Sequence, residues 1–145
     1  MKRILILNGP NLNLIGTREP DIYGTTSLDA YLDELQRTMP DVELRRFQSN
    51  VEGHLIDCIQ TEGFACDGMV INAGGYSHTS VALRDALASV PSPAVEVHIS
   101  NIFAREAYRH HSLFTPVCRG MVCGLGLEGY RLAVEWLLRL PPVEA

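Results

Sequence analysis

Glu96 and His98 stand two residues apart in the run Val95-Glu96-Val97-His98-Ile99. In an extended strand this spacing sends both side chains to one face and Val95, Val97 and Ile99 to the other. A strand inside a parallel sheet is normally apolar on both faces. An acid and an imidazole near its C-terminal end break that pattern, as functional sites do. Together they can handle a proton, the His as acid or base and the Glu as the group that holds it. The plainer reading is an edge strand with one solvated face. Ser100-Asn101 follow directly and offer backbone N–H groups ahead of a short helix, a cradle for an anion.

Other polar clusters recur where apolar runs end. Asn8-Gly9-Pro10-Asn11-Leu12-Asn13 carries three Asn within six residues, suited to hold a water or a polar ligand, or simply to form turns. Thr17-Arg18-Glu19-Pro20-Asp21-Ile22-Tyr23-Gly24 has the composition of a lid. Within it Arg18 and Tyr23, five apart, can fold face to face. A phenol is a poor base at neutral pH, and a close guanidinium favours the phenolate. Read alone, Tyr23 on a loop is more often a packing aromatic. Ile71-Asn72-Ala73-Gly74-Gly75-Tyr76-Ser77-His78-Thr79-Ser80 combines two glycines, which permit close backbone approach, with hydroxyls that can cap a helix. It is not G-x-G-x-x-G, so a dinucleotide is poorly supported. His78 also reads as an ordinary residue at a helix start. Arg105-Glu106-Ala107-Tyr108-Arg109-His110-His111 reads first as a solvated charged face, although Arg109 can reach a hydroxylated or anionic ligand. His110 and His111 do not share a helical face, and Cys58, Cys66, Cys118 and Cys123 form no C-x-x-C pair. No metal site is expected.

The elements that must position these residues alternate along the chain. Residues 4–7 form a continuous apolar run, the look of a strand buried on both faces. Leu28, Leu32, Leu35 and Met39 recur at helical spacing within residues 26–39, before Pro40. Residues 42–47 alternate apolar and charged, as an edge strand does. Ser49-Asn50-Val51-Glu52 has the form of a capping box, with Val51, Leu55 and Ile59 on one face and Gly63 as the stop. Met69-Val70-Ile71 predicts a buried strand. Val81, Leu83, Ala86, Leu87 and Val90 predict a helix ending before Pro91, residues 94–99 a fourth strand and residues 116–122 a fifth. Tyr130, Ala133, Val134, Leu137 and Leu138 form the inner stripe of a last helix. The β-α alternation implies a single domain over residues 1–145: an α/β, flavodoxin-like, doubly wound five-stranded parallel sheet with helices on both faces. In such sheets ligands bind beyond the carboxyl ends of the strands, where the clusters above sit.

The chain has 145 residues and a formal charge of −5, enough for one core and unfavourable to nucleic acid or an anionic membrane surface as partner. Of its twelve bases eleven are Arg, and the lone Lys is Lys2. A Schiff base or a phosphate-loop lysine needs a Lys held inside the fold, so both chemistries are disfavoured. The N-terminal apolar run is too short for a signal peptide, no stretch approaches a membrane span, and the cysteines read as buried hydrophobes of a reduced compartment. A cytoplasmic location is expected.

Asn8-Gly9-Pro10-Asn11-Leu12-Asn13, Arg18-Glu19-Pro20 through Tyr23-Gly24, Gln48-Ser49-Asn50, Ile71-Asn72 through Ser77-His78-Thr79-Ser80, Glu96-Val97-His98-Ile99-Ser100-Asn101 and Arg109-His110-His111-Ser112 closely resemble, in order along the whole chain, type II 3-dehydroquinate dehydratase. The resemblance implies cofactor-independent dehydration of 3-dehydroquinate to 3-dehydroshikimate, in the shikimate pathway or quinate catabolism. It also implies a homododecamer of four trimers. Carried onto this sequence, Tyr23 would be the base that removes the C2 proton and Arg18 the cation beside it. Asn11 would hold a water that stabilises the enolate. His98, supported by Glu96, would protonate the departing C1 hydroxyl. Asn72 and the backbone amides of Ile99 and Ser100 would bind the carboxylate, His78 and Arg109 the ring hydroxyls, and Asp85 would come from a neighbouring subunit. Three positions depart from the family pattern: Ala73 where Pro is usual, Gly75 where Ala is common, and Val51 where His often follows Gln-Ser-Asn. A non-catalytic flavodoxin-like binding module is the rival class, and an enzyme for another hydroxy-ketone acid a third.

Overall fold

Ile4, Leu5, Ile6 and Leu7 are all buried within strand β1 (Lys2–Asn8). Alternate residues of a strand face opposite ways, so burial of all four requires cover on both faces. In the computed structural model, which describes residues 1–17 and 19–143, β1 lies inside a five-stranded sheet. Its partners are β2 (Val42–Gln48), β3 (Gly68–Asn72), β4 (Ala94–His98) and β5 (Gly120–Cys123), in the order β2-β1-β3-β4-β5. Every pairing is parallel. This is the flavodoxin-like order, whose winding reverses between β1 and β3.

Among the described residues the α-helices are α1 (Pro20–Tyr23), α2 (Leu28–Thr38), α3 (Glu52–Glu62), α4 (Val81–Ala88) and α5 (Glu128–Leu137). One face of the sheet, with Ile4, Ile6, Val70, Val95 and Val97, packs on Leu28, Leu32 and Leu35 of α2 and on Tyr130, Ala133, Val134 and Leu137 of α5. The other, with Leu5, Leu7, Met69 and Ile71, packs on Leu55 and Ile59 of α3 and on Leu83, Ala86 and Leu87 of α4. The alternating apolar and charged residues of β2 place it at one edge, as expected.

Two hydroxyls start helices. Ser27 Oγ accepts from the Ala30 N–H at 3.1 Å and Ser80 Oγ from the Leu83 N–H at 3.0 Å, caps typically worth about 1 kcal/mol each. The capping box expected at residues 49–52 does not form. Ser49 Oγ instead accepts from the Val51 N–H, and Val51 caps α3 without a side-chain bond. Glu52 turns away to accept from Ser80 Oγ at 2.6 Å, tying the starts of α3 and α4 together. Val51 lies outside the helix and is exposed, not part of its buried stripe. The fifth strand is also shorter than its apolar pattern. Thr115–Val117 form a 3₁₀ turn, because Pro116 has no N–H to give a sheet and suits the first turn of a helix. Pairing begins only at Gly120.

Registry levels the strand ends. Asn8 pairs with Gln48 on one side and Asn72 on the other, and His98 with Cys123. The polar residues that follow β1, β3 and β4 therefore emerge on one side of the molecule.

Candidate active site

A small cleft of about 140 Å³ opens beyond the C-terminal ends of β1, β3 and β4, where ligands bind in sheets of this kind. The loop after β1 contributes Pro10, Asn11, Leu12 and Ile15, and α1 contributes Tyr23. Asn72, Gly74, Gly75 and His78 come from β3 and the turn after it. His98, Ile99, Ser100, Ile102, Arg105 and Arg109 come from β4 and its sequel.

Glu96 is wholly buried and His98 is 5% exposed. The solvated edge strand considered for this segment is therefore incorrect: β4 lies between β3 and β5, covered on both faces. His98 Nε2 is hydrogen-bonded to Glu96 Oε2. The same oxygen accepts from Ser112 Oγ at 2.6 Å, and Oε1 accepts from Thr115 Oγ1 at 2.6 Å. Burial alone would raise the Glu96 pKa. The bonds from His98, Ser112 and Thr115 more than offset it and hold the carboxyl below the usual carboxylate range. Glu96 is thus an anion held against an imidazole whose ring reaches the cleft. The His78 ring stacks on His98, with centroids 5.9 Å apart and planes 20° from parallel. Burial lowers the His78 pKa, more than the bond to the His111 carbonyl raises it. Its Nδ1 meets the His111 carbonyl at 2.8 Å, which fixes Nδ1 as the protonated nitrogen of the neutral ring.

Across the cleft, Arg105 Nη1 donates to Tyr23 Oη at 2.8 Å and to Ser100 Oγ at 3.2 Å. Its guanidinium carbon stands 5.7 Å from the centre of the Tyr23 ring. Arg105 is the residue that sequence reasoning missed, since its charged run reads as a solvated face and nothing in that run points at residue 23. Arg18, the cation expected beside Tyr23, lies outside the described residues. Arg109 also lines the cleft, and its Nε donates to Glu106 Oε2 at 2.7 Å.

The first loop is held in shape from the neighbouring strand. Gln48 Nε2 donates to the Gly9 carbonyl at 3.1 Å, and Asn50 Oδ1 accepts from the Asn11 N–H at 3.0 Å. Asn11 adopts the left-handed conformation, φ 70°, which Asn tolerates better than most residues. Gly9 is required by contact: a Cβ there would lie 2.5 Å from the Ala73 carbonyl oxygen. Asn72 is buried at the cleft floor, with Ile99 and Ser100 beside it. Asp85 does not join this group. It is exposed on α4, accepts from Arg84 Nη1 at 3.0 Å, and is absent from the cleft lining.

Alternative nucleophiles are poorly placed. Burial pushes the Cys58 thiol up to about 11 and the Cys118 thiol up to about 12, so neither is a thiolate at neutral pH. Among the described residues no three His, Cys, Asp or Glu side chains gather where they could hold a metal ion. None of the described helices is long and apolar enough to cross a membrane.

A phenol held by a guanidinium faces an imidazole held by a buried carboxylate, at the strand ends of a flavodoxin-like sheet. Groups so arranged can take and give protons, and the fold places them where flavodoxin-like proteins bind their ligands. The chain belongs to the class II dehydroquinase family, whose sequence profile, described as "Dehydroquinase class II", matches residues 2–138. It is 53% identical over 137 residues to a 3-dehydroquinate dehydratase of Exiguobacterium sp., covering 94% of each chain. It is 52% identical over 141 residues to catabolic 3-dehydroquinase 1 of Aspergillus terreus, covering 92% of this chain and 90% of that one. The crystal structure of type II dehydroquinase from Butyrivibrio crossotus superposes with a TM-score of 0.91 at 45% identity, over 94% of this chain and 97% of the other.

Proposed function

We propose that this chain dehydrates 3-dehydroquinate to 3-dehydroshikimate, without a cofactor, through an enolate. The observation that carries the reading is the pairing of Tyr23 with Arg105 on one wall of the cleft and of His98 with Glu96 on its floor. The reaction needs a base, a stabiliser for the enolate and an acid, and these groups supply them. Tyr23, as phenolate, takes the C2 proton, which is acidic because it lies α to the C3 ketone. Negative charge moves to the ketone oxygen, where a water held by Asn11 donates to it. The enolate then collapses to the enone as the C1–O bond breaks, and His98 protonates the departing hydroxyl so that it leaves as water. Glu96 supports the cationic imidazole that makes this transfer possible. Arg18 serves as a second cation for the phenolate.

Asn72 and the backbone amides of Ile99 and Ser100 hold the carboxylate, and His78 and Arg109 contact the ring hydroxyls. All five line the cleft together with His98. Asp85 acts from a neighbouring subunit, which fits its exposed place on α4 outside the cleft of its own chain. The enzyme works as a homododecamer, a tetramer of trimers, in the cytoplasm, with no nucleic acid or membrane partner. Light scattering that found only monomer would remove the role of Asp85.

The decisive experiment mixes the purified protein with 3-dehydroquinate and follows the absorbance of the conjugated product. Enone formation at neutral pH, insensitive to borohydride and to chelators, is expected. No product would refute the reading and return the fold to the class of ligand-binding modules.

A further inference from the structure

Tyr130 reads in the sequence as one more apolar residue on the inner stripe of α5, and its ring is indeed fully buried in the core beneath that helix. Its hydroxyl does something the stripe does not require. It donates to Asn8 Oδ1, at the end of β1, at 2.6 Å, and it accepts from Asn72 Nδ2, at the end of β3, at 2.8 Å. Burial raises its pKa far above that of an ordinary phenol, so the single hydroxyl proton is always present.

The direction of these bonds has a consequence for Asn72. A carboxamide has two nearly isosteric ends of opposite hydrogen-bonding character. Tyr130 has one proton to donate, and Asn8 takes it. Toward Asn72 the hydroxyl can therefore only accept, which requires the amino end of Asn72 to face it. The other end is held in the same sense, because Asn72 Oδ1 accepts from the Gly74 N–H at 3.3 Å. With the oxygen committed to Gly74 and one amino hydrogen to Tyr130, the second amino hydrogen is what Asn72 has to offer the cleft that it lines. A carboxylate needs that donor and would be repelled by the carbonyl of a flipped amide.

We propose that Tyr130 is a positioning residue for substrate binding: its buried hydroxyl, polarised by Asn8, fixes the Asn72 carboxamide so that it presents N–H to the substrate carboxylate. The proposal rests on the assignment of Asn72 to the carboxylate made above. Because the carboxylate is present unchanged in substrate and transition state, losing its donor weakens both equally, which raises KM and spares kcat.

Tyr130→Phe keeps the ring and deletes the hydroxyl. KM for 3-dehydroquinate is expected to rise about tenfold or more, with kcat within about twofold of the parent, the scale of one hydrogen bond to a charged group. Asn8→Leu supplies a second route that alters neither Tyr130 nor Asn72. It removes the acceptor that directs the Tyr130 proton away from Asn72, so that only the Gly74 N–H still orients the amide; KM should rise by a smaller factor, and an unchanged KM overturns the proposal even if the Phe variant fails to fold. In an Asn72→Ala background, Tyr130→Phe should add nothing to KM, whereas a role confined to core stability would persist there. An unchanged KM in folded Tyr130→Phe, or an equal effect of Tyr130→Phe with and without Asn72, overturns the proposal. Failure of the unaltered protein to turn over 3-dehydroquinate would overturn the dehydratase reading instead, so the two failures are distinguishable.

Discussion

Removing the Arg105 cation while keeping the length of its stem, as in Arg105→Met, tests the base most directly. Arg105 Nη1 lies 2.8 Å from Tyr23 Oη. At that separation two unit charges attract by about 1.5 kcal/mol in bulk water and by about 6 kcal/mol at an effective dielectric of 20. The Arg105 side chain is 15% exposed, so the true value lies between these limits, nearer the second once substrate excludes water. The lower limit alone is about tenfold in the rate of a step that develops negative charge beside the guanidinium. We expect kcat of Arg105→Met to fall at least about tenfold at pH 7 with KM within about threefold, measured by product absorbance. Arg105→Lys should keep part of the effect, since an ammonium restores the charge without the planar fork. Arg105 also donates to Ser100 Oγ, and Ser100→Ala is the control for that contact. If Arg105→Met retained kcat within about twofold of the parent across the pH range, the phenolate argument would be wrong.

Three more perturbations probe other parts of the site. Tyr23→Phe should abolish turnover while substrate still binds in calorimetry, and substantial residual kcat would exclude Tyr23 as the base. Thr115→Val removes the bond to Glu96 Oε1 and should cost about 1–3 kcal/mol in urea melts at neutral pH. The Glu96 pKa is depressed on folding, so its stabilisation is present in full above the ordinary carboxylate value near 4.3 and is lost as pH falls through the folded value. The gap between parent and variant should therefore narrow below about pH 4, and a gap that widened there would contradict the assignment. Gly9→Ala drives a Cβ to 2.5 Å from the Ala73 carbonyl oxygen, both atoms being held by backbone. It should lower Tm and raise KM together as the turn at Gly74 moves, and an unperturbed Tm would mean that this close approach relaxes freely.

Much of this molecule was legible along the chain because two local periodicities carry it. Residues 4–7 and 69–71 must be covered on both faces, and residues 42–47 on one, which already orders strands into interior and edge. The Glu96–His98 pair was visible for the same reason: period-2 alternation puts both on one face whatever surrounds them. Where local pattern failed, chemistry of single residues intervened. Pro116 ended pairing that the apolar run 116–122 invited, and Glu52 found a better donor in Ser80 than in its own helix start.

Residue types at strand ends therefore determined the kind of chemistry available, since side-chain acidity and alternation are local properties. What they could not determine is which group stands against which. Arg105 and Tyr23 are 82 residues apart, Tyr130 and Asn8 are 122 apart, and Asn72 is 58 from Tyr130. Those meetings follow from parallel registry and from helices laid on a particular face of the sheet. A hydrogen bond depends on tenths of an ångström, and only the assembled core sets distances on that scale.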